Sequence, residues 1–326
     1  MDGLSSYADE DFNAREVNCH QQICLTRSLR RRIAAIGGAS FQLRLVFRFM
    51  KIVITGARGL IGSFTSEYAR TQAGVEVHGV DTVGMGVSAE RYLRADLTDY
   101  GQTVAALAGA DAVIHLAAIR DSKMIPPAET FSTNVNSTFN VLQAAVHLGI
   151  KRVVLASTVQ VARTVYMQND TRYRYLPIDE EHEIDPQTDY ALSKQVNEVC
   201  GEMFARHFGL SVVSLRFTAI THPDVIKAQF PWKEAFDPHW ALYAYCDVRD
   251  AARCAYLAAA KPLAPNKHHI AYVVAPDTMV NTPSAEIAAR FFGDAENRGL
   301  QGFDSLISGK RAQELFGFVA EYGCRA

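Results

Sequence analysis

A β-rich run, Lys51-Ile52-Val53-Ile54-Thr55, leads into a glycine-rich turn, Thr55-Gly56-Ala57-Arg58-Gly59-Leu60-Ile61-Gly62, and the pattern then turns helical from about Leu60 to Gln72. This strand–turn–helix constrains the fold more than any other stretch of the chain. Glycine lacks a Cβ, so the backbone can bend sharply there and another group can come close. The helix that follows starts with unpaired amides and the positive end of its dipole, which together suit an anion such as a phosphate. Glycines in this context open a βαβ unit that binds a nucleotide.

The alternation continues downstream. Strand-like runs recur at Val75–Val80, just before Ala95, at Ala112–Leu116, Arg152–Ala156 and Ser211–Arg216. Helical patterns run from about Thr98 to Gly109, Thr130 to His147 and Tyr190 to His207. Short strands alternating with helices predict an α/β fold, a Rossmann-type doubly wound parallel sheet. Beyond residue 217 the pattern is mixed, helical at Asp247–Ala260 and Pro283–Phe292 and strand-like at Ile270–Val274. The expected organisation is a nucleotide-binding domain over 50–216 and a small C-terminal substrate-binding lobe over 217–326, interleaved with the last elements of the sheet. The stretch from Val165 to Asp189, with several tyrosines and a charged run, reads as a loop over the site.

Composition narrows the function classes. A net charge of -2 on 326 residues implies no general attraction to nucleic acid or to an anionic membrane. No apolar run reaches the length of a membrane span. The cysteines (Cys19, Cys24, Cys200, Cys246, Cys254 and Cys324) show no paired spacing, so a cytoplasmic protein with reduced thiols is expected. No metal-binding cluster stands out, and the pair His268-His269 reads as part of a loop. Residues 1–49 begin acidic and turn arginine-rich, which a transit peptide should not do. Met50 directly precedes the first strand. The segment is therefore expected to be a dispensable, poorly ordered extension, from a start codon placed too far upstream; a genuine basic arm is the alternative.

The glycine turn implies a dinucleotide. Asp81 closes the second strand, where a carboxylate can accept hydrogen bonds from the adenosine ribose and repel a 2′-phosphate. That favours NAD. Arg58 within the turn is a cation that could hold the phosphate, so NADP stays open.

Tyr190 and Lys194 stand four apart in Asp189-Tyr190-Ala191-Leu192-Ser193-Lys194 and share one helix face. An ammonium there can stabilise a phenolate. Bringing a tyrosine from about 10 to neutrality needs roughly 4 kcal/mol of differential stabilisation, much of which a lysine and a cationic nicotinamide ring could supply.

Taken together, these motifs resemble the extended short-chain dehydrogenase/reductases, the NAD-dependent epimerase/dehydratase family, from about Met50 to near the C-terminus. Gly56, Arg58, Gly59, Leu60, Ile61 and Gly62 resemble its cofactor turn. Asp96-Leu97 is similar to its adenine-contacting pair, and His115-Leu116-Ala117-Ala118 to the strand end lining the cofactor. Thr133-Asn134-Val135-Asn136-Ser137-Thr138 resembles its Asn-Val-x-Gly-Thr segment, which makes Asn134 a structural or proton-relay asparagine. The resemblance implies a catalytic set of Ser157, Tyr190 and Lys194. Tyr190 moves the proton, Ser157 holds the reacting oxygen, and Lys194 binds the nicotinamide ribose; the hydroxyl of Thr158 could substitute for Ser157.

Departures bear on the substrate. Many relatives acting on nucleotide sugars have an asparagine before a Gly-Pro turn, whereas here Ala219 and His222 stand in Ala219-Ile220-Thr221-His222-Pro223. Only a short stretch with Trp232 and Trp240 separates Pro223 from Tyr245, and the chain stops soon after Phe318. The substrate lobe is thus expected to be small, with Thr158, Thr218, His222, Trp232 and Trp240 as candidate substrate residues. The leading expectation is an NAD-dependent oxidoreductase acting on a small sugar, sugar acid or similar hydroxy compound. Nucleotide-sugar epimerisation with retained NAD is the alternative, and a non-catalytic NAD(P)-sensing protein is a third reading. The resemblance also implies a homodimer through a four-helix bundle formed by the helices around Asn134–His147 and Tyr190–His207.

Overall fold

The computed structural model describes residues 49–84, 91–120, 125–162, 164, 173–235 and 241–325. The expected extension at 1–49 lies outside the described residues, apart from Phe49. The first strand, β1 (Met50–Thr55), pairs in parallel with β2 (Val75–Asp81) on one side and β4 (Ala112–His115) on the other. The sheet grows outward to β3 (Tyr92–Arg94) at one edge and through β5 (Arg152–Thr158) and β7 (Ser211–Phe217) to β10 (His268–Val273) at the other. All these pairings are parallel. The order 3-2-1-4-5-7-10 reverses direction between β1 and β4. Helices that lead away to opposite faces leave a crevice there, and ligands of such sheets sit at the carboxyl ends of the strands beside it.

Helices cover both faces. Residues of one parity along the strands, Ile52, Ile54, Ile114, Val154 and Leu215, pack with Ala69 of α1 (Leu60–Arg70) and with Ala251, Cys254, Ala255 and Ala258 of α6 (Val248–Ala260). Residues of the other parity, Val53, Val113, Val153 and Leu155, pack with Leu107 of α2 (Tyr100–Leu107), Val141 and Leu142 of α3 (Pro127–Leu148) and Phe204 of α4 (Asp189–Phe208). A strand buried on both faces reads as a continuous apolar run, which is why β5 and β7 show little alternation. Local chemistry sets the helix ends. Gly149 and Gly209 close α3 and α4 in the left-handed region, at φ 73° and 75°. The Thr188 hydroxyl opens α4 by accepting the Ala191 amide at 3.0 Å, a capping bond worth about 1 kcal/mol.

A third core lies beyond the sheet. Tyr173, Leu176, Ile178, Leu242, Tyr243, Tyr245, Met279, Val280, Ile287 and Leu306 are among its buried members. Two small parallel pairs frame it: β6 (Tyr175–Leu176) with β11 (Glu296–Asn297), and β8 (Ala219–Thr221) with β9 (Tyr245–Asp247). The chain also forms α5 (Pro223–Gln229), α7 (Ser284–Phe291) and α8 (Lys310–Phe316). One expectation is corrected here. His268 and His269 are not in a loop; they begin β10 opposite Val212 and Val213. His268 Nε2 lies 2.8 Å from the Ser214 hydroxyl, and burial lowers its pKa to about 4. The described part of the stretch read as a loop, 173–188, is a loop apart from β6, and it is anchored: Tyr173, Leu176 and Ile178 enter the third core, and the Glu180 carboxylate accepts the Tyr272 amide at 2.7 Å.

Candidate active site

The crevice at the switch point has two halves that share Gly56, Gly59, Leu116 and Ala118 as a common wall. One half, about 390 Å³, is bounded by Arg58, Asp81, Thr82, Asp96, Leu97, Ala117 and Ser137. The other, about 450 Å³, is bounded by Leu60, Ile61, Gly62, Arg120, Ser157, Thr158, Gln160, Tyr190, Lys194 and Thr218.

The first half is built mainly from backbone. Gly56 has φ +65°, and a Cβ there would lie 2.7 Å from the Ala117 nitrogen; a Cβ on Gly62 would lie 2.0 Å from the Gly56 carbonyl oxygen. These two glycines are required by the protein's own packing, turn against β4 and helix against turn. Gly59 caps α1 with no side chain over the helix end, so the first amides of α1 open into the crevice. Asp81 braces the turn: its Oδ2 accepts the Arg58 amide at 2.9 Å. Asp96 holds its own turn by accepting the Thr98 amide and hydroxyl at 2.9 and 2.8 Å.

The second half is built from side chains. Tyr190 sits in the first turn of α4 and Lys194 one turn later, with the Lys194 ammonium 5.7 Å from the centre of the Tyr190 ring. Lys194 is 2 % exposed, and burial lowers its pKa to about 8. The Tyr190 phenol is pushed up to about 12 by burial, which outweighs the hydrogen bond from Thr158 and the charge of Arg120, both of which lower it. The Thr158 Oγ1 also accepts the Gln160 amide at 3.3 Å, leaving the hydroxyl proton for Tyr190. Behind them His115 links β1 to α3, with Nδ1 2.8 Å from the Thr55 hydroxyl and Nε2 3.2 Å from that of Thr138. Burial, and secondarily the Lys194 charge, lowers the His115 pKa to about 3, so the ring is neutral.

The sequence profile described as the NAD dependent epimerase/dehydratase family matches residues 52–228, more than half of the chain. The chain belongs to this family. An L-arabinose 1-dehydrogenase (NAD(P)(+)) of Haloferax volcanii is 29% identical over 199 residues, 57% of this chain and 73% of that one. A uronate dehydrogenase of Pseudomonas syringae pv. tomato is 26% identical over 170 residues, 52% of this chain and 58% of that one. Among solved structures, a short-chain dehydrogenase/reductase superfamily protein from Agrobacterium tumefaciens with bound NAD superposes with a TM-score of 0.64 at 22% identity, covering 84% of this chain and 94% of that chain. That likeness is one of fold. The family member described here is thus an NAD(P)-dependent enzyme of the extended short-chain type.

Within this family frame, the expected site residues separate. Gly56, Arg58, Gly59, Leu60, Ile61, Gly62, Asp81, Asp96, Leu97, Leu116, Ala117, Ala118, Thr158, Thr218, Tyr190 and Lys194 all line the crevice. Ser157 also borders it, but its hydroxyl is turned away: it donates to the buried Glu198 at 2.6 Å. The reason is strand alternation. Ser157 follows Val153 and Leu155 onto the α4 face, where Glu198 and the fully buried Arg216 form a two-point ion pair at 3.0 and 2.9 Å. Thr158, not Ser157, stands beside the Tyr190 phenol.

Asn134 is likewise buried away from the crevice. Its amide accepts the Ile119 N–H at 2.8 Å and donates to the Ile119 carbonyl at 2.9 Å and the Ser193 hydroxyl at 3.1 Å. It pins the loop after β4 to α4, so the structural of its two expected roles fits the geometry. His222 caps α5, its Nδ1 accepting the Asp224 amide at 3.3 Å, and does not line the crevice. Trp232 packs edge-on to Phe230 at the third core and pairs its backbone with Met279 and Asn281. Trp240 lies outside the described residues.

Sequence reasoning missed Arg120, Gln160 and Glu198. Arg120 stands two residues beyond the recognised strand end, His115–Ala118. Arg216, a charge inside the apolar run Ser211–Phe217, was a legible sign that a buried carboxylate must face it.

Proposed function

We propose that this enzyme interconverts a hydroxyl and a carbonyl on a small sugar or sugar acid, with NAD as the favoured cofactor and Tyr190 as acid and base. The juxtaposition of the Tyr190 phenol, the Thr158 hydroxyl and the Lys194 ammonium in the crevice at the switch point carries this reading. The residues present suit the cofactor. The open amides of α1 fit the pyrophosphate, Asp81 fits the adenosine ribose, and Lys194 fits the nicotinamide ribose. When bound, the nicotinamide supplies the acceptor or donor of hydride. Thr158 orients the reacting oxygen, and the Tyr190 phenolic oxygen takes its proton in oxidation or returns it in reduction. With its pKa raised by burial, Tyr190 is a ready acid; Lys194 and a cationic ring would favour the phenolate needed for oxidation.

A small substrate fits the lobe. Across 223–235, Ile226 and Ala235 are buried in the third core and the half-buried Phe230 and Trp232 pack against it, which favours packing over gripping a nucleotide base. A homodimer through α3 and α4 belongs to the same reading, supported by Phe139, Leu192, Val199 and Phe208, large apolar side chains exposed on those two helices. So does a cytosolic setting, where the thiols of Cys200, Cys246, Cys254 and Cys324 stay reduced. No described helix is long and apolar enough to cross a membrane.

The test is a screen of sugars, sugar acids and nucleotide sugars, followed by reduced-cofactor absorbance, with native mass spectrometry for retained NAD. Net cofactor reduction with a small sugar or sugar acid is expected. Tight binding of uridine diphosphate, with isomerisation and no net cofactor turnover, would replace this reading by nucleotide-sugar epimerisation.

A further inference from the structure

The charges around the catalytic half of the crevice are one-sided. Among the described residues that line it, the charged side chains are Arg120 and Lys194, and no aspartate or glutamate joins them. Lys194 is buried beside Tyr190 and is taken up by the nicotinamide ribose in the reading above. Arg120 is exposed to the crevice, close enough to Tyr190 for its charge to act on the phenol. Other arginines of this protein sit on carboxylates: Arg216 on Glu198, Arg249 on Asp247, Arg253 on Asp250 and Arg325 on Asp277. No carboxylate among the described residues pairs with Arg120.

A guanidinium presents a rigid fork of donors that matches a carboxylate in two-point fashion. Gln160 and Thr218 line the same space and offer an amide and a hydroxyl to a polyhydroxylated ring. Resting on the dehydrogenase reading above, we propose that Arg120 determines specificity by pairing with a carboxylate of the substrate. The substrate is then a sugar acid rather than a neutral sugar. The carboxylate lies on the same small molecule as the reacting hydroxyl, because Arg120 and Tyr190 border one cavity of about 450 Å³.

The experiment compares kcat/KM for a hexuronate, the neutral hexose of the same configuration and its 6-phosphate, in the wild type, Arg120→Met and Arg120→Lys. Calorimetric titration of NAD into each protein accompanies it. The wild type is expected to favour the uronate over the hexose by roughly 10- to 100-fold, the range of a charged hydrogen-bonded contact. Arg120→Met should collapse that ratio, Arg120→Lys should keep part of it, and NAD affinity should stay within about twofold by the same reasoning. An unchanged ratio in Arg120→Met would overturn the assignment. So would a preference for the phosphate, or a fall in NAD affinity that matches the loss of turnover and assigns Arg120 to the cofactor. Turnover of neutral sugars alone would overturn it while leaving the dehydrogenase reading intact; absence of turnover with every sugar and sugar acid would remove both.

Discussion

The two halves of the crevice meet along the same glycines, yet they are made of different material. Around Gly56 the wall is backbone, braced by the carboxylates of Asp81 and Asp96, and shape comes from what cannot be there: a Cβ on Gly56 would come 2.7 Å from the Ala117 nitrogen. Around Tyr190, Lys194 and Thr158 the walls are side chains whose proton affinities burial has moved, up to about 12 for the phenol and down to about 8 for the ammonium. Backbone walls hold a ligand by geometry and respond little to pH. Side-chain walls can exchange a proton and must respond to it. The cofactor half is therefore a rigid seat, and the catalytic half is a tuned one.

The sharpest way to break this contrast is Tyr190→Phe. Turnover should fall by roughly 10² to 10⁴, as for loss of a general acid–base, while NAD binding measured by calorimetry stays unchanged. Normal turnover would end the assignment. Next comes the neighbouring pair on β5. Thr158→Val should lower kcat by about 10²-fold, as for removal of one donor to the reacting oxygen. Ser157→Ala should instead cost about 1–3 kcal/mol of stability by leaving Glu198 short of a donor, with kcat changed only several-fold. The reverse pattern would return the catalytic role to Ser157.

Gly62→Ala probes the glycine turn that walls both halves. It should cost about 1–3 kcal/mol through overpacking and weaken NAD, with the pH profile of turnover preserved; a tolerated alanine would mean that the seat is not rigid.

The smallest expected effect is on acid stability. The His115 pKa is lowered from 6.5 to about 3 in the folded protein. Below pH 6.5 the unfolded chain takes up a proton that the folded one refuses, so stability falls as pH drops through that window. Between pH 7 and pH 5 this amounts to about 2 kcal/mol. Urea denaturation at both pH values should show that His115→Asn loses less on acidification than the wild type. Equal losses would show that other groups set the acid limit.

The difference between the two halves also explains what could be read in advance. The glycine turn, the strand end at Leu116–Ala118 and the Tyr190–Lys194 pair are local in sequence, so spacing alone exposes them. The sheet was legible for the same reason, since Ile52–Ile54 and Val153–Leu155 are apolar without alternation. Choosing between Ser157 and Thr158 needed the parity of β5 and a carboxylate 41 residues away on α4. The role of Asn134 needed to be seen against Ile119 and Ser193. His268-His269 misled because a polar pair at a strand edge resembles a loop until its partners on β7 are known. Trp232 and His222 belong to the lobe, whose short elements carry little periodicity; residue type alone suggested a substrate role there, and only the structure shows His222 capping α5 and Trp232 against Phe230.

Asp250 has a consequence of its own. Its carboxylate, fully buried on α6, accepts the amides of Glu321 and Tyr322, both at 2.9 Å, and holds Arg253 at 2.9 Å. The same helix leans on α1 through Tyr256 against Tyr68, with ring centres 5.5 Å apart. Synthesis delivers the glycine turn and α1 early, since chains emerge N-terminus first. The clasp that backs them arrives some 250 residues later. A ribosome-bound chain can thus make the glycine turn and α1 long before it can latch them.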